Sequence, residues 1–177
     1  MMRTRCRRDA EFEEFFRSNY PRAFGVAVRM LGGAAEAEDA AAEAFSRALV
    51  RWPRVRGLDY RDAWVMRVTA NVAIDMLRRR RAMPDVRTEV DDPQGSTVER
   101  MWLLGALDKL PDRQREVLLL RYFGDLADDD IAQCLSMANG TVKSHVHRGL
   151  VRLRERFGVD IEPPDGKEVQ VAVDLHH

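Results

Sequence analysis

The chain has 177 residues, of which 45% are hydrophobic and 33% are charged, and this composition is too apolar for general disorder. The length admits one domain or two small ones. No apolar run reaches the length of a transmembrane helix or follows the basic N-terminus as a signal peptide would, so the sequence predicts a cytoplasmic protein without membrane insertion. The two cysteines, Cys6 and Cys134, are too few for a disulfide framework and lack the spacing of a zinc site.

The charges are balanced overall but unevenly distributed along the chain. The 29 basic and 29 acidic residues cancel. By segment, the net charge is +6 over 1–82, −3 over 83–98, +1 over 99–157 and −4 over 158–177. The sequence therefore has a basic first half, an acidic middle, a mixed third block and an acidic tail.

Helical periodicity begins near the N-terminus. Phe12, Phe15 and Phe16 fit one face of a short helix, and Pro21 is expected to restart the chain in a second helix. Gly32 and the glycine after it then end that helix.

Two longer helices are predicted to complete the first half. The first runs from about Ala34 to Trp52, ends before Pro53, and places Leu49 on the same apolar face as Phe45. A polar loop, 53–60, leads into the second helix, about 61–81. One face of that helix is apolar, and the other carries polar side chains at spacings of four: Arg67, Asn71, Asp75 and Arg79.

A linker composition separates the two halves. Residues 83–98 lack periodicity and contain two prolines, a glycine and four acidic residues. We therefore predict an all-α protein with two small helical domains, 1–82 and 97–157, joined by a flexible acidic linker over 83–96. An acidic tail, 158–177, follows, with valines alternating at 169, 171 and 173.

The second half contains the pattern of a helix-turn-helix. A short helix with Ile131, Cys134 and Leu135 on one side precedes a four-residue turn and a helix from Gly140 to about Phe157. The later helix has an inward stripe: Val142, Val146, Leu150, Leu153 and Phe157. Its basic side chains lie off that stripe, as in a helix that enters the DNA major groove. The charge alone also fits a solvated basic helix in an ordinary bundle.

Two stretches, in this order, resemble the bacterial sigma-70 family of sigma factors. FEEFFRSNYPRAFGVAVRMLGGAAEAEDAAAEAFSRALVRW followed by AWVMRVTANVAIDMLRRRR resembles region 2 of the extracytoplasmic-function (ECF) group. LPDRQREVLLLRYFGDLADDDIAQCLSMANGTVKSHVHRGLVRLRERF resembles region 4 of the same group. The resemblance implies a factor that binds core RNA polymerase, recognises promoter DNA and promotes transcription initiation, usually held inactive by an anti-sigma factor.

The resemblance also implies three binding surfaces. The residues implied to bind core polymerase are Glu38, Asp39, Glu43, Phe45 and Arg47. The loop 55–61 is implied to capture an unstacked base of the minus-ten element. The residues implied to bind minus-ten DNA are Tyr60, Arg61, Trp64, Arg67, Asn71, Arg78 and Arg79. The residues implied to bind minus-thirty-five DNA are Thr141, Lys143, Ser144, His145, His147, Arg148 and Arg152. Trp64 and Phe45 also fit core positions, and the arginine run also fits a solvated helix end.

Several positions of the helix-turn-helix depart from the family pattern. Ala127 and Ala138 stand where capping residues are usual, and Ser136 stands where a turn glycine is usual. We expect Asn139 to cap the recognition helix in place of Ala138, so that Gly140 becomes its first residue. The alternative is a helix that starts directly after Ala138 without a cap.

Catalytic and metal-binding functions lack support in the sequence. His145 and His147 are two residues apart on a helix and point in different directions, and no phosphate-binding loop or hydrolase motif occurs. We therefore expect no enzyme activity, no metal and no cofactor. Besides a sigma factor, two other classes stay open: a helix-turn-helix regulator that acts without polymerase, and a helical adaptor that binds no DNA.

Overall fold

A computed structural model describes residues 2–82, 97–161 and 171–173. The predicted linker, 83–96, lies outside the described residues. The first half contains the helices α1 (Met2–Leu31), α2 (Ala34–Val50), α3 (Trp52–Val55) and α4 (Arg61–Ala82). The second half contains α5 (Thr97–Asp108), α6 (Asp112–Leu118), a π-helical turn (Leu119–Phe123), α7 (Asp128–Leu135) and α8 (Asn139–Phe157). The predicted helical fold with its helix-turn-helix is confirmed, and none of the described helices is long and apolar enough to cross a membrane.

A short hairpin in the tail is the exception to the helical fold. Strand β1 (Val159–Ile161) pairs antiparallel with β2 (Val171–Val173), and Val159 lies opposite Val173. Two of the alternating valines noted in the sequence form this second strand.

The expected break at Pro21 is wrong, because α1 continues through it as one helix of 30 residues. Proline removes one backbone N–H and therefore one hydrogen bond from the helix. Burial on both sides of Pro21 offsets this loss: Phe15 lies in the core before it, and Ala23 and Val26 lie there after it. The buried Asn19 side chain adds hydrogen bonds to the Phe15 carbonyl (3.1 Å) and to Asp62 of α4 (3.1 Å).

Small side chains let α2 pack closely between α1 and α4. The buried positions of α2 are Ala37, Ala40, Ala41, Ala44, Phe45 and Ala48. The helix ends at Val50 instead of Trp52, and Pro53 lies in the first turn of α3, so the predicted loop 53–60 begins as a helical turn. Leu49, predicted to face inward, is 54% exposed. It is the residue after the buried Ala48, so its side chain points away from the buried face of the helix.

In the second half, α8 packs on α6 around a glycine. A Cβ at Gly149 would lie 2.8 Å from Leu118 Cδ1, so the two helices approach closely only because this side chain is absent. Val142 and Leu153 of the predicted inward stripe are fully buried. The other three, Val146, Leu150 and Phe157, are partly buried against the same core.

The helix-turn-helix has few local stabilisers. Ser136 adopts a left-handed conformation (φ 53°, ψ 53°), which favours glycine. Ala127 and Ala138 are the N-cap residues of α7 and α8, and neither has a side chain that can cap. The expected cap at Asn139 is wrong: α8 begins at Asn139, whose side-chain amide hydrogen-bonds Asp129 instead.

We predict that Ala138→Ser raises the free energy of unfolding of the second half by about 1 kcal/mol, because a serine oxygen would accept a hydrogen bond from a free N–H of α8. Urea unfolding of the full chain measures the change. Ala138→Val is the matched control, because valine lacks an oxygen at the same position and should bring no gain. An unchanged midpoint for Ala138→Ser would contradict the uncapped start.

Candidate nucleic-acid and partner surfaces

The outer face of α8 has the polar and basic side chains expected of a recognition helix. Five of the seven predicted minus-thirty-five residues are exposed: Thr141, Lys143, Ser144, His147 and Arg148. Two hydrogen bonds order this face, because Ser144 donates to the Gly140 carbonyl (2.9 Å) and Arg148 donates to the Ser144 carbonyl (3.2 Å). Side chains in the first turns of such a helix are those that reach base edges.

The remaining two predicted residues lie closer to the protein body. Arg152 donates to the side chain of the buried Gln114 on α6 (3.0 Å). His145 is half-buried, and its Nδ1 has no hydrogen-bond partner within the described structure. Burial lowers the pKa of His145, and the positive charges of Arg148 and Arg113 lower it further, so the imidazole is neutral at pH 7. A neutral, half-buried histidine contributes no positive charge toward phosphates.

The predicted minus-ten residues of α4 face the second half of the protein. Arg67 pairs with Glu116 of α6 (2.7 Å), and Arg78 pairs with Asp108 of α5 (2.8 Å). Asn71 lies between them along α4 and is half-buried, whereas Arg79 is exposed. The helix packs against both the π turn and α7. The sequence contained no signal for these pairs, because their members are far apart in the chain.

A cavity of about 470 Å³ lies beside the loop that was predicted to capture a base. Its lining comes from α1, α3, the loop and the first turn of α4, and includes Ser18, Trp52, Arg56, Arg61 and Asp62. The lining therefore combines an aromatic ring with hydrogen-bond donors and acceptors.

The two predicted aromatic residues near this loop, Tyr60 and Trp64, are half-buried and pack against the core. Trp52 is fully buried among other aromatic rings, and its indole N–H has no acceptor within the described structure.

The predicted polymerase-docking residues lie along α2. Glu38 and Asp39 are exposed, and Glu43 pairs with Arg47 one turn later (2.8 Å). Phe45 is buried in an aromatic cluster, with its ring centroid 4.8 Å from that of Phe16.

An apolar patch that sequence reasoning missed continues this surface. Leu49 and Val50, at the end of α2, are 54% and 80% exposed, and Phe16 is 38% exposed. Leu49 and Val50 directly follow the buried Ala48 at the end of α2. An exposed apolar patch beside acidic side chains is typical of a protein-binding surface.

Family models match both halves of the chain. The sigma-70 region 2 model matches residues 15–83, and the sigma-70 region 4 model matches residues 100–153.

Curated relatives match across the linker. The RNA polymerase sigma-E factor of Streptomyces coelicolor is 32% identical over 153 residues, covering 83% of this chain and 86% of the relative. The ECF RNA polymerase sigma factor SigW of Bacillus subtilis is 31% identical over 156 residues, covering 76% of this chain and 82% of the relative.

A solved structure has the same fold. The sigma factor RpoE from Bartonella quintana, crystallised with the anti-sigma factor NepR, superposes with a TM-score of 0.52 at 22% identity. The match covers 81% of this chain and 94% of RpoE.

Cys134 lies at the contact between the two halves. Burial raises the pKa of its thiol to about 11, although the nearby Arg67 guanidinium acts in the opposite direction. The thiolate is the reactive form of cysteine, so this thiol is almost fully protonated at pH 8.

We predict that the thiolate fraction of Cys134, followed by the NMR shift of its ¹³C-labelled Cβ, rises about tenfold per pH unit from pH 7 to pH 10, as expected below a pKa of about 11. The measurement uses a Cys6→Ser variant, in which Cys134 is the one remaining cysteine. The same protein in urea is the control and should level off near pH 9. A plateau near pH 9 in the folded protein would contradict the raised pKa.

Proposed function

Because the chain belongs to the sigma-70 family of RNA polymerase sigma factors, in the ECF group, we propose that it binds core RNA polymerase, recognises a two-part promoter and promotes transcription initiation. It performs no chemistry itself and acts in the cytoplasm, where polymerase and promoters are found. The observation that supports this most is the exposed polar and basic face of α8, in a helix-turn-helix that follows a region 2 match in the same chain.

Each half of the chain has its own role in promoter recognition. Residues 1–82 serve as the domain that binds polymerase and the minus-ten element, and residues 97–157 serve as the domain that binds the minus-thirty-five element. Residues 83–96 connect them, and residues 158–177 form the tail.

Minus-thirty-five recognition falls to the outer face of α8. Lys143, Ser144 and Arg148 are exposed in its first three turns and reach base edges, whereas Arg154 near its end holds phosphates. His145 and Arg152 support this face from beneath, since His145 is half-buried and Arg152 is hydrogen-bonded to Gln114.

Minus-ten recognition falls to α4 and the cavity at its first turn. An unstacked base needs a pocket with polar groups, and the cavity lining offers Ser18, Arg61 and Asp62. Tyr60 and Trp64 lie on either side of the cavity-lining residues Arg61 and Asp62 in the sequence. Arg67, Asn71, Arg78 and Arg79 hold the backbone of the single strand.

Docking on polymerase uses the outer surface of α2. Glu38, Asp39 and Glu43 supply negative charge, and Arg47 and the apolar pair Leu49 and Val50 continue the surface toward the end of the helix. Phe45 supports this surface from within the core. An anti-sigma factor is the expected regulator, as in the complex of the structural neighbour.

We predict that charge reversal on α2, Asp39→Lys with Glu43→Lys, abolishes co-elution with core polymerase, because both side chains are exposed on the proposed docking surface. The readouts are size-exclusion chromatography and mobility shift of a pool of promoter fragments, with and without core polymerase. Wild type should shift DNA only with polymerase. Glu13→Lys with Glu155→Lys is the matched control and should behave like wild type.

Each competing function has its own result in this experiment. A regulator that acts alone would shift DNA without polymerase, and an adaptor would shift none under either condition. Unchanged co-elution of the α2 variant would refute the docking surface.

We predict that Arg148→Ala costs about 1–3 kcal/mol of promoter affinity and relaxes the preference at one base pair, because bidentate base contacts are worth that much. Arg154→Ala, its control on the same helix, should weaken all sequences alike and lower the salt slope by about one. Selection from a randomised site measures both. Identical preferences for Arg148→Ala and wild type would refute the assignment.

A further inference from the structure

We propose that Gln114 of α6 is a positioning residue for promoter recognition: by accepting a hydrogen bond from Arg152, its buried side chain fixes the rotation of α8 and thereby the base preference of Arg148. This inference rests on the proposed minus-thirty-five role of α8. It assigns Arg152 to the scaffold that holds α8 and not to a DNA phosphate.

The base-reading side chains of α8 are ordered by the helix itself. Ser144 donates to the Gly140 carbonyl (2.9 Å), and Arg148 Nε donates to the Ser144 carbonyl (3.2 Å). Both hydrogen bonds lie within α8, so these side chains move with the helix when it rotates. A binding group works only when it is held within about 0.5 Å and about 10–20° of its productive geometry. The orientation of α8 on the rest of the second half therefore decides which base pairs are read.

Apolar packing brings α8 close to α6 but restrains its rotation poorly. Where the two helices meet, a Cβ at Gly149 would lie 2.8 Å from Leu118 Cδ1 and 3.6 Å from Gln114 Cβ. The glycine leaves α8 without a side chain that could interlock with α6 at this point. Apolar atom contacts are individually weak, whereas a hydrogen bond is directional and restrains the angle between its partners.

Gln114 supplies the directional contact beside that glycine. Its side chain is 5% exposed, and its Oε1 accepts a hydrogen bond from Arg152 Nη1 at 3.0 Å. The start of α6 holds the acceptor in place, because the Gln114 N–H donates to the Pro111 carbonyl (2.9 Å). A hydrogen bond from a charged donor is stronger than one between neutral groups. The bond therefore adds an angular restraint next to the close approach of the two helices.

The surroundings of Arg152 differ from those of the neighbouring arginines of α8. Arg152 is half-buried, whereas Arg148, one turn earlier, and Arg154 are exposed. Because α8 is one continuous helix from Asn139 to Phe157, Arg148 turns together with Arg152. Loss of the hydrogen bond to Gln114 thus changes the position of a side chain that does not touch Gln114.

The test measures base preference and salt dependence with the full chain bound to core polymerase. Selection from a randomised minus-thirty-five site reports the preference, and promoter affinity at several salt concentrations reports the phosphate contacts. We expect Gln114→Met and Arg152→Met each to relax the preference at the base pair that Arg148 reads, by about fivefold or more, with an unchanged salt slope. The double variant should be no worse than either single variant, because both changes remove the same bond.

Further variants separate positioning from stability. Gln114→Glu keeps an acceptor for Arg152 and should retain the wild-type preference. A role in stability alone predicts weaker binding of all sequences with an unchanged preference. Arg152→Met tests the bond from a half-buried position if Gln114→Met loses its helices by circular dichroism. Gln133→Met, the same change at an exposed site of α7, is the matched control and should behave like wild type.

A salt slope lowered by about one in Arg152→Met, with an unchanged preference, would assign Arg152 to a phosphate and overturn the proposal. Unchanged preferences in both single variants, or additive losses in the double variant, would overturn it as well. Failure of the proposed function is a separate result, seen as wild type that selects no sequence even with polymerase. When the wild type selects a site and Gln114→Met and Arg152→Met select it equally well, only the positioning role is refuted.

Discussion

A guanidinium group that leaves water must find oxygen acceptors, because its charge and its five N–H groups are costly to bury unpaired. All but three of the 29 basic residues of this chain are arginine, so this requirement recurs throughout the protein. Four arginines of the first half are hydrogen-bonded to oxygens of the second half, and of these Arg67 is half-buried whereas Arg22, Arg29 and Arg78 are exposed. These hydrogen bonds join the two halves at α1 and at α4, where α4 also packs against the π turn and α7.

The π turn and the residues that follow it provide some of these oxygen acceptors. Within it the backbone widens, and the Gly124 N–H donates to the Leu119 carbonyl, five residues earlier (3.0 Å). Gly124 has no room for a side chain, because a Cβ would lie 2.6 Å from the Leu120 carbonyl oxygen. The next residue, Asp125, is left-handed with φ 50°. The chain thus turns sharply, and the carbonyls of residues 123–125 accept hydrogen bonds from Arg22 and Arg29 of α1.

Sequence patterns predicted what depends on local periodicity. They located the start of α4 at Arg61, the buried side of α7 and the inward positions Val142 and Leu153, because a helix repeats its buried face every three to four residues. They failed where tertiary packing outweighs a local preference. Pro21 lies inside a helix because the helix is buried on both sides of it.

The candidate site was predictable only in part, for a related reason. The exposed face of α8 and the acidic face of α2 could be read from one helix each. The pairs Arg67–Glu116 and Arg78–Asp108 join residues 49 and 30 positions apart, across a linker, and no periodicity within one helix contains such information. The same holds for Asn139: its local capping preference was sound, but Asp129 on α7 binds its side chain instead.

The weak local structure of the helix-turn-helix and the contact between the halves are linked. With Ala127 and Ala138 at the N-caps and Ser136 left-handed at the turn, α7 and α8 depend on tertiary packing. Arg67 adds to that packing by binding the Cys134 carbonyl at the end of α7, and a contact made only in the folded state stabilises it. Loss of this contact would therefore lower the stability of the second half.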